Sequence, residues 1–100
     1  SEYAKKRIAR EVRALEVLAT FGAPKGKERV VGGRVTLGPV RANEPFEIWR
    51  ETKLIGAGRI INLQSGRQDV LEVPTGSEAG LLVETDEGIR MGDRLVFPDV

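Results

Sequence analysis

The sequence predicts an all-β fold: a small closed antiparallel β-barrel with a short N-terminal helix. Short runs rich in Val, Ile, Leu and Thr recur at spacings of roughly 8 to 12 residues, separated by turn residues, which is the rhythm of a barrel or sandwich. Glycines sit inside several runs, at Gly32-Gly33, Gly56 and Gly58, where strands bulge or coil sharply. With 100 residues the chain has room for one modest core, which favours a barrel over a sandwich.

From Glu2 to about Arg13, Ala4, Ile8, Val12 and Leu15 fall at helical spacing, with Ser1-Glu2 as the cap region. Lys5, Lys6, Arg7, Arg10 and Arg13 surround the rest of that helix; a solvated face and a nucleic-acid contact both fit them. "VRALEVLATF" satisfies a helical stripe and also a strand with Val17, Ala19 and Phe21 on one side. A strand is expected, with a turn at Leu15 or just before it. "GAPKGKE" is an exposed loop. "RVVGGRVTLG" is a strand kinked or bulged at Gly32-Gly33, and "PVRANEP" a turn-rich connection.

"FEIWR" and "LIGAGRIINL" form the clearest hairpin, turning near Glu51 to Lys53. "QSGRQD" then reads as a polar loop, "VLEV" as a short strand, "AGLLVET" as a strand, "DEGIRMGD" as a connection and "RLVF" as the last strand. The expected core is Val17, Phe21, Val31, Val35, Phe46, Ile48, Ile60, Leu63, Val70, Leu81, Val83, Ile89 and Leu95.

Composition narrows the function. The chain holds no cysteine and no histidine, so disulfides, thiolate metal sites and the commonest general base are absent. No apolar stretch approaches the 18 or so residues of a membrane span, and "SEYAKKRIAR" lacks the apolar core of a signal peptide. A soluble, cytoplasmic, monomeric protein without cofactor or membrane partner is expected. The chain starts at Ser1, which fits a piece of a longer protein, so neighbouring domains are expected too. Residues 1–60 carry 13 Lys or Arg against 7 Asp or Glu, and residues 61–100 carry 3 against 8. Such an asymmetry can steer a polyanion to one face, or vanish where strands of the two halves interleave.

No phosphate loop matches, because "GAPKGKE" lacks the required Gly-Lys-Ser/Thr ending. "GAGRI" lies inside a strand with no helix after it, unlike a dinucleotide fingerprint. Asp86, Glu87 and Asp93 read as a solvated turn without calcium-loop spacing. Asp69 and Glu72 have no base, nucleophile or metal partner beside them. Catalysis is not expected. Tyr3 and Trp49 are too scattered for a base-stacking platform, and Trp49 fits better at a barrel edge or a domain contact.

The order of "LEVLATF", "VVGGRVTLGPV", "FEIWRETKLIGAGRIINLQSGRQDVLEV", "GSEAGLLVE" and "IRMGDRLVF" resembles the C-terminal β-barrel of bacterial translation initiation factor 2, a barrel similar to the second domain of elongation factor Tu. The match spans roughly residues 14 to 97. It implies that residues 1–11 end an interdomain linker helix, that residues 12–100 form the barrel, and that a GTPase domain lies outside the chain. It further implies contact with the formylmethionyl end of initiator tRNA on the ribosome. The tRNA-end residues implied are Glu78, Ala79, Gly80, Arg67, Gly33, Gln64 and Ser65. Glu78 and Gly80 match the family's Gly-x-Glu-Cys-Gly turn, while Ala79 and Gly33 stand where the family has cysteines. Gln64 and Ser65 stand where it has Lys and Arg, and Arg67 keeps its charge. From the residues alone, Gly76 and Gly80 serve either turn geometry or a ligand's approach. A structural or ribosome-docking barrel without aminoacyl recognition is the alternative.

Overall fold

The computed structural model describes residues 13–22 and 26–98. Nine strands are described: β1 (Arg13–Thr20), β2 (Glu28–Leu37), β3 (Val40–Arg41), β4 (Pro45–Arg50), β5 (Lys53–Ser65), β6 (Gln68–Asp69), β7 (Glu72–Val73), β8 (Glu78–Thr85) and β9 (Arg94–Phe97). The order β4-β9-β1-β2-β8-β5 closes through a β4–β5 pairing into a six-stranded barrel, and every pairing in it is antiparallel. β6 extends β5, and β3 pairs with β7 as a separate two-stranded ribbon. The helix expected over residues 2 to about 13, with Tyr3 and its cations, lies outside the described residues except for its last residue, Arg13, which starts β1.

Alternation along the strands fills the interior. Ala79, Leu81 and Val83 of β8, Leu95 and Phe97 of β9, and Phe46 and Ile48 of β4 all point inward and are buried. The Phe46 and Phe97 rings meet edge to face with centroids 6.1 Å apart, a favoured aromatic geometry. The hairpin at Glu51 is as expected: β4 and β5 pair up to Arg50↔Lys53, with Glu51 in the left-handed region at φ 58.

Four breaks in register reset the inward phase, each placing one extra residue on a strand. On β2, Leu37 faces Ala14 and Val35 faces Leu15, which leaves Thr36 extra. On β1, Val17 faces Gly33 and Ala19 faces Gly32, which leaves Leu18 extra. On β5, Ile60 faces Val83 and Asn62 faces Leu82, which leaves Ile61 extra, and Ile55 is extra opposite β4. This is how Ile60 and Leu63, three apart, are both buried on a strand whose faces otherwise alternate.

Several expectations are corrected. No turn interrupts β1: Leu15 pairs with Val35 of β2 and Leu95 of β9 and is wholly buried. The irregularity expected at Gly32-Gly33 occurs there, but the extra residue belongs to the partner strand. Phe21 is 67% exposed rather than core. Beyond the Leu18 bulge its N–H donates to the Val30 carbonyl at 2.9 Å, so it shares the outward phase of Val30. Val70 is only partly buried, whereas Leu15, Val40, Val73, Ala79 and Phe97 join the core. "QSGRQD" is the β5–β6 hairpin rather than a loop, and "PVRANEP" contains β3.

Asp93 is not a solvated turn residue. Its side chain is 2% exposed. Arg50 grips it with Nε to Oδ1 and Nη2 to Oδ2, both 2.9 Å, and the Arg90 N–H donates to Oδ2 at 2.9 Å. The backbone around it braces β1 beside the bulge, since Val17 N–H donates to the Asp93 carbonyl and Gly92 N–H to the Val17 carbonyl. Glu44 is held similarly, by Arg13 at 2.8 Å on each carboxylate oxygen and by the Arg41 N–H at 2.8 Å. Burial opposes both charges, yet these donors and cations outweigh it and hold both carboxyls below their ordinary values.

Acid sensitivity follows. A carboxyl with a depressed folded-state value stabilises the fold fully above its unfolded value of about 4, and that contribution is lost as pH falls through the folded value. Urea-unfolding midpoints are expected to hold steady from pH 7 to about 5 and to fall below about 4. The fall should be shallower in Asp93→Asn, whose side chain no longer titrates; an equally steep fall in that variant would remove Asp93 from the explanation.

Candidate functional site

Glycines on adjacent strands clear an open groove across the outer face of β1, β2, β8 and β5. Gly32 of β2 pairs with Gly80 of β8, which pairs in turn with Gln64 of β5. These positions point outward, so the missing side chains leave a shallow floor two strands wide. Because Gly80 is paired on both sides, it contributes clearance rather than a free amide. A Cβ on Gly80 would meet nothing within 4 Å, so that space is open to a ligand. The groove encloses about 410 Å³.

One wall is apolar, made by Leu18 and Phe21 with Ala19. Leu18 is the bulge residue, and Phe21 lies over Gly32, its Cε2 3.4 Å from where a Cβ would stand. The opposite wall is polar and comes from the β5–β6 hairpin: Gln64, Ser65, Gly66 and Arg67. Gly66 and Arg67 both have left-handed backbones, φ 59 and 66, as required by the two-residue turn that matches strand twist. That turn places Arg67 at the hairpin tip, where among the described residues it makes no ion pair. Three interstrand spacings of about 4.8 Å put the walls roughly 14 Å apart along the sheet.

Glu78 completes the lining at the start of β8, and Ala79 borders the groove with its side chain turned into the core. Glu78 lies opposite Arg34, 3.5 Å from its guanidinium, with both side chains well exposed; such a pair is weak. The Ser65 hydroxyl approaches the Glu78 carbonyl at 3.4 Å, a marginal hydrogen bond. Gln64 Nε2 donates to Asp69 Oδ1 at 2.9 Å, and Asn62 Nδ2 reaches the same oxygen at 3.2 Å. Those bonds, Gln64's first, hold the Asp69 carboxyl below its usual range.

The fold therefore brings all seven residues singled out from the sequence, Gly33, Gln64, Ser65, Arg67, Glu78, Ala79 and Gly80, to one groove. Gly33 is there for packing. A Cβ on it would stand 2.5 Å from the Glu16 carbonyl oxygen and collide with the Leu15 side chain. Leu18, Phe21 and Gly32 line the groove but were not singled out. The mismatch between a three-residue spacing of apolar side chains and a two-residue strand period could have flagged the bulge that turns the first two outward.

No protein-family model matches the chain. Translation initiation factor IF-2 of Thermus thermophilus is 37% identical over 78 residues, 78% of this chain and 14% of that protein. IF-2 of Rubrobacter xylanophilus is 34% identical over 91 residues, 91% and 13%, and human mitochondrial IF-2 is 32% identical over 83 residues, 80% and 11%. The chain is a barrel of the IF-2 translation initiation factor family. It spans about one-seventh or less of the length of these IF-2 relatives, and its closed six-strand architecture is consistent with the C-terminal barrel of IF-2. Among the described residues no helix is long and apolar enough to cross a membrane, and no cluster of three potential ligands could hold a metal ion.

Two of the groove's glycines should respond oppositely to the same substitution. Gly33→Ala must displace Leu15 or the β1 backbone and is expected to cost about 1–3 kcal/mol, while Gly80→Ala, in open space, should stay within about 0.5 kcal/mol of the parent. Phe21→Ala should likewise leave the urea midpoint nearly unchanged, whereas a core phenylalanine would cost roughly 3–5 kcal/mol.

Proposed function

We propose that this barrel, residues 12–100, binds the formylmethionyl acceptor end of initiator tRNA in the glycine-floored groove and so helps an initiation factor place that tRNA on the ribosome. The observation that carries the reading is the convergence of Glu78, Ala79, Gly80, Gln64, Ser65 and Arg67, with apolar Leu18 and Phe21, on one groove. A formylated methionine has an apolar, polarisable side chain and a neutral amide, followed by the phosphates of single-stranded RNA. Thioethers pack well against aromatic edges, which assigns the methionine side chain to Phe21 and Leu18. The polar wall takes the formamide and ester, and Arg67 the nearest phosphate.

In this reading residues 1–11 tether the barrel to the rest of the factor, whose GTPase domain lies elsewhere, and the factor acts as a cytoplasmic monomer. The second reading, a docking barrel that has lost aminoacyl recognition, draws on one observation: Gln64 and Ser65 leave Arg67 as the single cation among the described residues that line the groove.

Titration with formylmethionyl-tRNA and with the uncharged tRNA separates the two. Tighter binding of the charged form, reduced several-fold by Phe21→Ala, is the expected result; equal binding of both forms would favour the docking barrel. Arg67→Ala should weaken both forms alike and lower the slope of log affinity against log salt by about 0.7, the value for one contact to single-stranded phosphate.

A further inference from the structure

We infer that Gln64 reads an N–H donor on the ligand in the groove, and that Asp69 is the positioning residue that aims it. The inference rests on the proposed tRNA-end reading and deepens it by naming what this wall selects.

A carboxylate without its proton can only accept hydrogen bonds. Both amide side chains that touch Asp69 Oδ1, Gln64 at 2.9 Å and Asn62 at 3.2 Å, must therefore present nitrogen to it. For Gln64 this settles which end of the amide faces where: the nitrogen is turned to the carboxylate and the oxygen away from it. Among the described residues that oxygen accepts no hydrogen bond, and Gln64 lines the groove. The wall thus offers a fixed acceptor.

The clamp is built into the strand register. Gln64 and Asp69 are directly opposite in the β5–β6 pair, and Asn62 lies two residues earlier on the same face, the diagonal position that cross-strand side chains reach. The tight turn at Gly66 and Arg67 holds the register. The surroundings discourage an anion at this spot. Asp69 is negative, Glu78 lies on the groove's edge, and Arg67 is the lining cation. An N–H is the group that an amide oxygen can accept from, and the neighbouring Asp69 carboxylate disfavours an anion here.

An acceptor end offers that chemistry from two sources, the amide N–H of the formylated amino acid and the exocyclic amine of the terminal adenine. Three charged tRNAs distinguish them: the parent, one whose formylated amino acid carries oxygen in place of the α-nitrogen, and one ending in purine riboside instead of adenosine. The intact chain is expected to bind the parent roughly two- to tenfold tighter than one of the two analogues, the span of one neutral hydrogen bond. The weaker analogue identifies the source.

Gln64→Leu should bring that ratio to about one, and Asp69→Asn, which lets the amide turn over, should lower it part-way with an unchanged unfolding midpoint. A purely structural role for the clamp would instead weaken all three tRNAs equally and leave the ratio intact. A ratio that persists in Gln64→Leu overturns the inference, as does equal binding of all three by the unaltered chain. If charged tRNA is not preferred over uncharged in the first place, the tRNA-end reading itself fails.

Discussion

Strand β5 pairs with β4 over its first half and with β8 over its second, and that double pairing turns a row of six strands into a ring. A strand of 13 residues can serve both neighbours only by bending as it passes from one to the other. Gly58, which with Arg59 is shared by the two pairings, makes the bend possible. A Cβ there would stand 2.5 Å from the Glu84 carbonyl oxygen and 2.8 Å from the Phe46 ring, so the strands could not approach as they do around any larger residue. Closure leaves no free edge in the ring, and it creates the interior in which Phe46, Phe97 and their neighbours are buried.

The same constraint produces the groove. A closed ring needs strands of unequal path length, and the added lengths are the bulges at Leu18, Thr36, Ile55 and Ile61. Each extra residue reverses the facing of the strand residues beyond it. On β1 the reversal sends Phe21 outward with Val30, and the bulge residue Leu18 is 40% exposed. These apolar side chains border a floor of glycines, which is an arrangement that core packing does not require: Gly80 has room for a side chain and carries none. Gly33, one position from Gly32, differs in kind because it must admit β1. Clearance on one face and close approach on the other are separate demands placed on neighbouring glycines.

How much of this was legible in the sequence depends on whether the signal was local. The β4–β5 hairpin and the inward set of β8 come from two-residue alternation next to good turns, and both are seen. The core assignment failed at Phe21 because alternation was carried through a bulge, and bulges are set by the partner strand's register. Leu15, Val40 and Val73 were missed where runs are too short to show a period, in β3, in β7 and at the start of β1. Asp93 read as a solvated turn because its partner, Arg50, is 43 residues away in sequence. The groove was legible by another route. Its residues were picked out by resemblance to a family, which carries long-range pairing that no window of the chain contains, and the register then explained why residues from β2, β5 and β8 meet.

The groove's electrostatics come from the same geometry. Its lining cation sits at the tip of a two-residue hairpin, where a left-handed backbone at Arg67 is matched to strand twist, while the exposed pairs Arg34–Glu78, at the groove's edge, and Arg41–Glu72, away from it, contribute little to a field that salt screens. Among the described residues that line the groove, attraction for a polyanion rests on one guanidinium, that of Arg67. Discrimination between ligands has to come from shape and from directed hydrogen bonds, which salt screens far less. The Leu18–Phe21 wall supplies the first, and the β5–β6 hairpin, whose register sets Gln64 against Asp69, supplies the second.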